Sequence, residues 1–168
     1  LGVPGDAEAV ALNVTVTDAR DAGFLTVYPC GGEVPTASNL NYVTGATVPN
    51  LVVARVGAAG QVCLFTQSDV HVVADLNGYV PAGSSFRTTT PARVYESRVG
   101  LATADGQQNG TGLRPAGTVT EIALAGRVGV LDAASTISLN VTVTEPEAAG
   151  FLTVYPCGTG LPTASNLN

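Results

Sequence analysis

Three cysteines and one histidine are the residues best suited to chemistry in this chain of 168 residues. Cys30 and Cys63 read as a structural disulfide, which would close a loop and mark an oxidising compartment. The other reading of the pair is two buried free thiols. Cys157 is then either unpaired or bonded to a cysteine of another repeat or another chain. No Cys-x-x-Cys or Cys/His spacing points to zinc, so no metal site is expected. His71 lies in Val70-His71-Val72-Val73-Ala74-Asp75, where strand alternation puts it on one face with Val73 and Asp75. A Ser/His/Asp or Cys/His centre needs a nucleophile within reach of the imidazole, and the sequence has no Gly-x-Ser-x-Gly elbow. His71 is therefore read as a structural residue bonded to a neighbouring strand.

Oxygen-bearing clusters lead no further towards catalysis. Asp75-Leu76-Asn77-Gly78 begins like a calcium loop, but Tyr79-Val80-Pro81 supplies none of the further oxygen ligands that such a loop needs. Asn77-Gly78 reads instead as a turn with positive φ. Ser38, Asn39, Asn41 and Asn50 could line a sugar-binding patch beside Tyr42. The preferred reading is that they satisfy backbone groups at strand ends and turns. Sugar sites stack their ligands on aromatic rings, and the chain has only four Phe and five Tyr. Glu145 and Glu147 stand as a carboxylate pair, but the equivalent stretch of an internal repeat holds Asp18 and Asp21 at another spacing. General acid–base catalysis depends on that spacing. The expectation is a chain that is not an enzyme, with no catalytic residue and no cofactor.

The elements that hold these residues are repeated. Leu12–Asn41 recurs as Leu139–Asn168, offset by 127 residues without a gap, and the match extends back to Leu1 against Val128 with 26 identities over 41 positions. A period of this length is that of a domain rather than of a solenoid unit. Short runs rich in Val, Leu and Thr, punctuated by Gly, Pro and Asn, predict strands at Ala11–Thr17, Phe24–Tyr28, Asn39–Val43, Asn50–Val56, Gln61–Thr66 and Val70–Leu76. Further strands are predicted at Arg93–Ser97, Thr118–Ala125 and Thr136–Thr144, and Gly57-Ala58-Ala59-Gly60 reads as a hairpin turn. The expected fold is all-β, a β-sandwich of jelly-roll or Ig-like type in tandem repeats of 127 residues, with a barrel or trefoil as alternatives. Pro81-Ala82-Gly83-Ser84-Ser85 reads as a linker. It divides residues 1–83, the larger C-terminal part of one repeat, from residues 84–168, the N-terminal part of the next. Neither part holds a whole repeat. The duplicate 128–168 then competes with 1–41 for one place, a geometry suited to strand exchange.

Composition narrows the partners. Apolar residues make up 45% and charged residues 12%, with mean hydropathy +0.30. That is too apolar for a disordered tail, yet no run approaches the ~18 apolar residues of a membrane span. The net charge is −6, and all seven basic residues are arginine. Neither nucleic acid nor membrane insertion is expected. The chain opens at Leu1 rather than at methionine, as a processed product or part of a longer protein would.

With the repeat in view, PARVYESR, GLRPAGTVTEIALAGRVGV, LNVTVTEPEAAGFLTVYPCG, ASNLNYVTGATVPNLVVARVG and VCLFTQSDVHVVADLNGYV resemble a tandem repeat of secreted and cell-surface proteins of actinobacteria. Tyr95-Glu96-Ser97 departs from the Leu-Asp-Thr more usual there before the residue that is Arg98 here. The resemblance implies location and modular character, and no chemistry. The expected function is a non-catalytic structural or adhesive repeat of an extracellular surface protein or filament. Its expected partners are other copies of itself. The alternative is a carbohydrate- or cell-wall-binding module appended to a secreted enzyme, with cell-wall polysaccharide as partner.

Overall fold

The computed structural model describes residues 2–167. Six strands lie between Ala9 and Val80: β1 (Ala9–Thr17), β2 (Gly23–Pro29), β3 (Leu40–Tyr42), β4 (Val48–Arg55), β5 (Val62–Thr66) and β6 (His71–Val80). They form two antiparallel three-stranded sheets, ordered β4-β1-β6 and β3-β2-β5. The fold is all-β and sandwich-like. Each of the six strands predicted before residue 83 is found, with ends displaced by a few residues.

Alternation in β1 decides what is buried. Val10, Leu12, Val14 and Val16 point inward, while Asn13, Thr15 and Thr17 point away. Val52 and Ala54 of β4 join the inner face beside Leu12 and Val10. Leu25 and Val27 of β2, with Leu40 and Tyr42 of β3, close the core from the second sheet. Val14, Val16, Leu25 and Val27 are wholly buried, and burying each such side chain contributes about 1.5–3 kcal/mol. Tyr42 joins this core to the loops. Its ring is buried, and its hydroxyl donates to the Phe24 carbonyl at 3.3 Å and accepts from the Ser68 amide at 3.3 Å.

Gly57–Gly60 does not turn a hairpin. It forms a short 3₁₀ turn at Ala58–Gly60 that carries the chain from β4 in one sheet to β5 in the other. Gly57 lies against the Cys30 backbone so closely that a methyl group there would overlap it. Asn77-Gly78 is not a turn either. Both residues lie within β6, where Leu12 pairs with Leu76 and Ala11 with Gly78, so Asn77 is the extra residue of a β-bulge.

Residues 81–167 are built differently. The predicted strands at 93–97, 118–125 and 136–144 do not form among the described residues. Two isolated bridges occur there, Glu96 with Asn109 and Leu152 with Leu167. Tertiary context decides this. Leu139–Thr144 has the same sequence as Leu12–Thr17 of β1, but it lacks the two flanking strands that β4 and β6 give to β1.

Candidate functional site

The cysteine pair closes as a disulfide, Cys30–Cys63, with Cα atoms 5.0 Å apart. Register places it: Tyr28 pairs with Cys63 across β2 and β5, and the Cys30 amide donates to the Gln61 carbonyl at 3.4 Å. The reading as two free thiols is thereby corrected. Cys157 is free and exposed. Beside Cys30 lies an open hollow of about 550 Å³ that holds a single carboxylate, Glu33. No group of three or more His, Cys, Asp and Glu side chains suited to a metal ion occurs among the described residues. His71 is exposed at the start of β6, opposite Thr17, and among the described residues nothing is bonded to its ring. The expectation that it bonds to a neighbouring strand is corrected. A histidine at the first position of an edge strand meets water rather than a partner.

The asparagines form a backbone-satisfying corner. Asn39 Oδ1 accepts from the Val27 amide at 2.6 Å, and the Asn39 amide donates to the Leu25 carbonyl at 2.9 Å. The Thr26 hydroxyl donates to the Ala37 carbonyl at 2.6 Å, which satisfies a side chain with no exposed surface. Asn50 Nδ2 donates to the Asn39 carbonyl. The duplicate repeats this arrangement. Val154 donates to Asn166 Oδ1 at 2.7 Å, the Asn166 amide donates to the Leu152 carbonyl at 2.9 Å, and Thr153 donates to the Ala164 carbonyl at 2.7 Å. Each partner is the residue 127 positions on. Asn168, the copy of Asn41, lies outside the described residues. The two regions also touch. Asn50 Nδ2 donates to Asn140 Oδ1 at 3.0 Å, and Asn140 Nδ2 donates to the Ser38 carbonyl at 2.9 Å.

The duplicate reproduces the corner but not the burial. Val16 and Val27 have no exposed surface, whereas their copies Val143 and Val154 are 48% and 46% exposed. A second uncovered surface lies on β6. Val72, Ala74, Leu76 and Tyr79 pair with Val16, Val14, Leu12 and Val10, so they share the inward face of β1. The second sheet packs against β4 and leaves this row exposed, Leu76 by 53%.

Residues 93–127 contain a pair of arginine–carboxylate centres that reading the sequence missed. Arg127 is buried and grips Asp105 with two hydrogen bonds, Nε to Oδ2 at 2.8 Å and Nη2 to Oδ1 at 2.9 Å. Its guanidinium also donates to the carbonyls of Val94 and Ala123. Glu96 is buried between Arg93 and Arg98, each 2.9 Å away. Arg98 holds the Glu96 carboxyl below its ordinary range, and Arg127 does the same to Asp105. Both carboxylates therefore stay ionised and serve as anchors. The available signal was the placing of scarce arginines: four of the seven, Arg93, Arg98, Arg114 and Arg127, fall within residues 93–127.

Comparison with protein-family models, with curated proteins and with solved structures finds no match to this chain.

Proposed function

We propose that this chain is a non-catalytic structural or adhesive repeat of an extracellular surface protein or filament, arranged in units of 127 residues. Its partners are other copies of itself, joined by exchange of strands between repeats. One observation carries the reading. A sequence that forms the central strand and the neighbouring corner of a sandwich occurs twice, and the second occurrence keeps its corner yet leaves Val143, Phe151 and Val154 exposed. Exposed apolar surface of this kind marks a place of association. The Cys30–Cys63 disulfide supports an oxidising, extracellular setting. No helix among the described residues is long and apolar enough to cross a membrane. The carboxylates of Glu96 and Asp105, both held below their ordinary range, are bound to arginines and so poorly suited to move protons.

The test is the molar mass of the purified chain by light scattering over a hundredfold range of concentration. A mass that climbs beyond one chain as concentration rises is expected. A single-chain mass throughout, together with saturable binding to a cell-wall polysaccharide, would replace this reading with a glycan-binding module.

A further inference from the structure

We infer that the outer edge of β6 pairs, antiparallel, with β6 of a second copy about a two-fold axis at Val73. This deepens the proposed self-association and rests on it, and it leaves every strand in its own sandwich. In the order β4-β1-β6, β6 is bonded to β1 on one side, and no strand among the described residues lies on its other side. The second sheet packs against β4. The duplicate reaches the sandwich through Ser38 and through Asn50 of β4, which is the opposite edge of the sheet.

β6 is an edge of the kind that pairs. It is ten residues long, and it is exposed on both faces from His71 to Asn77. Edge strands are commonly guarded by lysine, proline or several charges. Residues 71–80 hold no lysine, no proline and a single carboxylate, Asp75. The bulge at Asn77 ends the regular part of the strand, which confines the pairing to residues 70–76.

Polar groups select the occupant and its register. His71, Val73 and Asp75 share the outward face, opposite Thr17, Thr15 and Asn13 of β1. In an antiparallel pair centred on Val73, Val73 meets its own copy, Val72 meets Ala74, and His71 meets Asp75. Each imidazole N–H then donates to the carboxylate of the other copy, once on either side of the axis. Complementary groups directly opposite each other stabilise a pair of strands, and like charges destabilise it. Centring on Asp75 opposes two carboxylates, and centring on Val72 sets Asp69 against Asp75. Centring on Ala74 faces Asp75 with Val73 and leaves the imidazole without a carboxylate. A slip of one residue turns the second core to the other side of the joined sheet. In the Val73 register the inward rows Val72, Ala74 and Leu76 of the two copies run side by side, and apolar area leaves water.

A charge exchange tests this on the whole chain. His71→Asp sets carboxylates against each other on both sides of the axis. His71 and Asp75 are exposed in the single chain, so the fold is retained and the circular dichroism spectrum should not change. Self-association by light scattering should weaken by roughly tenfold or more. Adding Asp75→His restores the complementary pairs and should return most of the lost association. Association of His71→Asp equal to that of the parent chain, or no recovery in the double variant, would overturn the inference and leave the proposed self-association standing by another surface. A parent chain that never associates would defeat the proposed function itself. Val73→Cys, combined with Cys157→Ser, supplies a second reading. Directly opposed Cβ atoms lie about 4.5–5.5 Å apart across a strand pair, close to the reach of a disulfide. Oxidised glutathione, reduced to two thiols as the protein thiols join, should yield dimers on a non-reducing gel. Single chains alone would overturn β6 as the partner of β6.

Discussion

Asn39 shows how one side chain can specify a corner twice. Its Oδ1 replaces a strand partner for the Val27 amide, and its own amide returns to Leu25. Asn39→Ala would leave a buried amide without an acceptor, and a loss of about 1–3 kcal/mol in urea unfolding is expected. Asn166→Ala removes the same bond at an exposed copy and should change stability by less than about 0.5 kcal/mol. The arginine clamps give a pH dependence. The folded chain holds Asp105 and Glu96 below their ordinary values, so it gives up their protons more readily than the unfolded chain does. Their contribution is complete above about pH 5 and disappears as the pH falls through the lowered values. The urea midpoint should fall below about pH 4. In Arg127→Met that fall should be shallower, because Asp105 then titrates near its ordinary value. The role of the asparagines in satisfying backbone could be read from their type and position near turns. The Arg127–Asp105 clamp could not, because the two residues are 22 positions apart and no short pattern joins them.

At the level of elements, alternation carried the first half of the chain and failed in the second. Leu12-Asn13-Val14-Thr15-Val16-Thr17 alternates because one face meets a sheet and the other does not. The same letters at Leu139–Thr144 make no strand, because pairing partners are not a property of the segment. β6 gives a subtler case. Strict alternation puts Leu76 and Tyr79 on opposite faces, but the extra residue Asn77 brings both to the face of Leu12 and Val10. A bulge of this kind leaves only an Asn-Gly pair in the sequence, which is also the signature of a turn. Gly57 has a similar double meaning. It reads as a hairpin glycine, and its actual task is to let the link between the sheets pass against Cys30. Gly57→Ala should destabilise the fold by about 1–3 kcal/mol, measured by thermal and urea unfolding, because the Cys30 backbone must move to admit the methyl group.

For the whole molecule, the two halves differ in how they are held together. Residues 9–80 use a disulfide and a small apolar core shared by two sheets. Residues 93–130 use backbone turns and two ionic anchors, with little apolar burial. Apolar side chains lie in solvent at Val72, Leu76 and Tyr79 on β6, and at Val143, Phe151 and Val154 in the duplicate. A structural repeat joined to its neighbours would cover such residues on assembly. The measurement that tests this most directly is negative-stain electron microscopy of the concentrated, disulfide-intact chain. The account predicts particles joined end to end, with an axial spacing of one domain. Isolated particles of single-chain size at every concentration would contradict it.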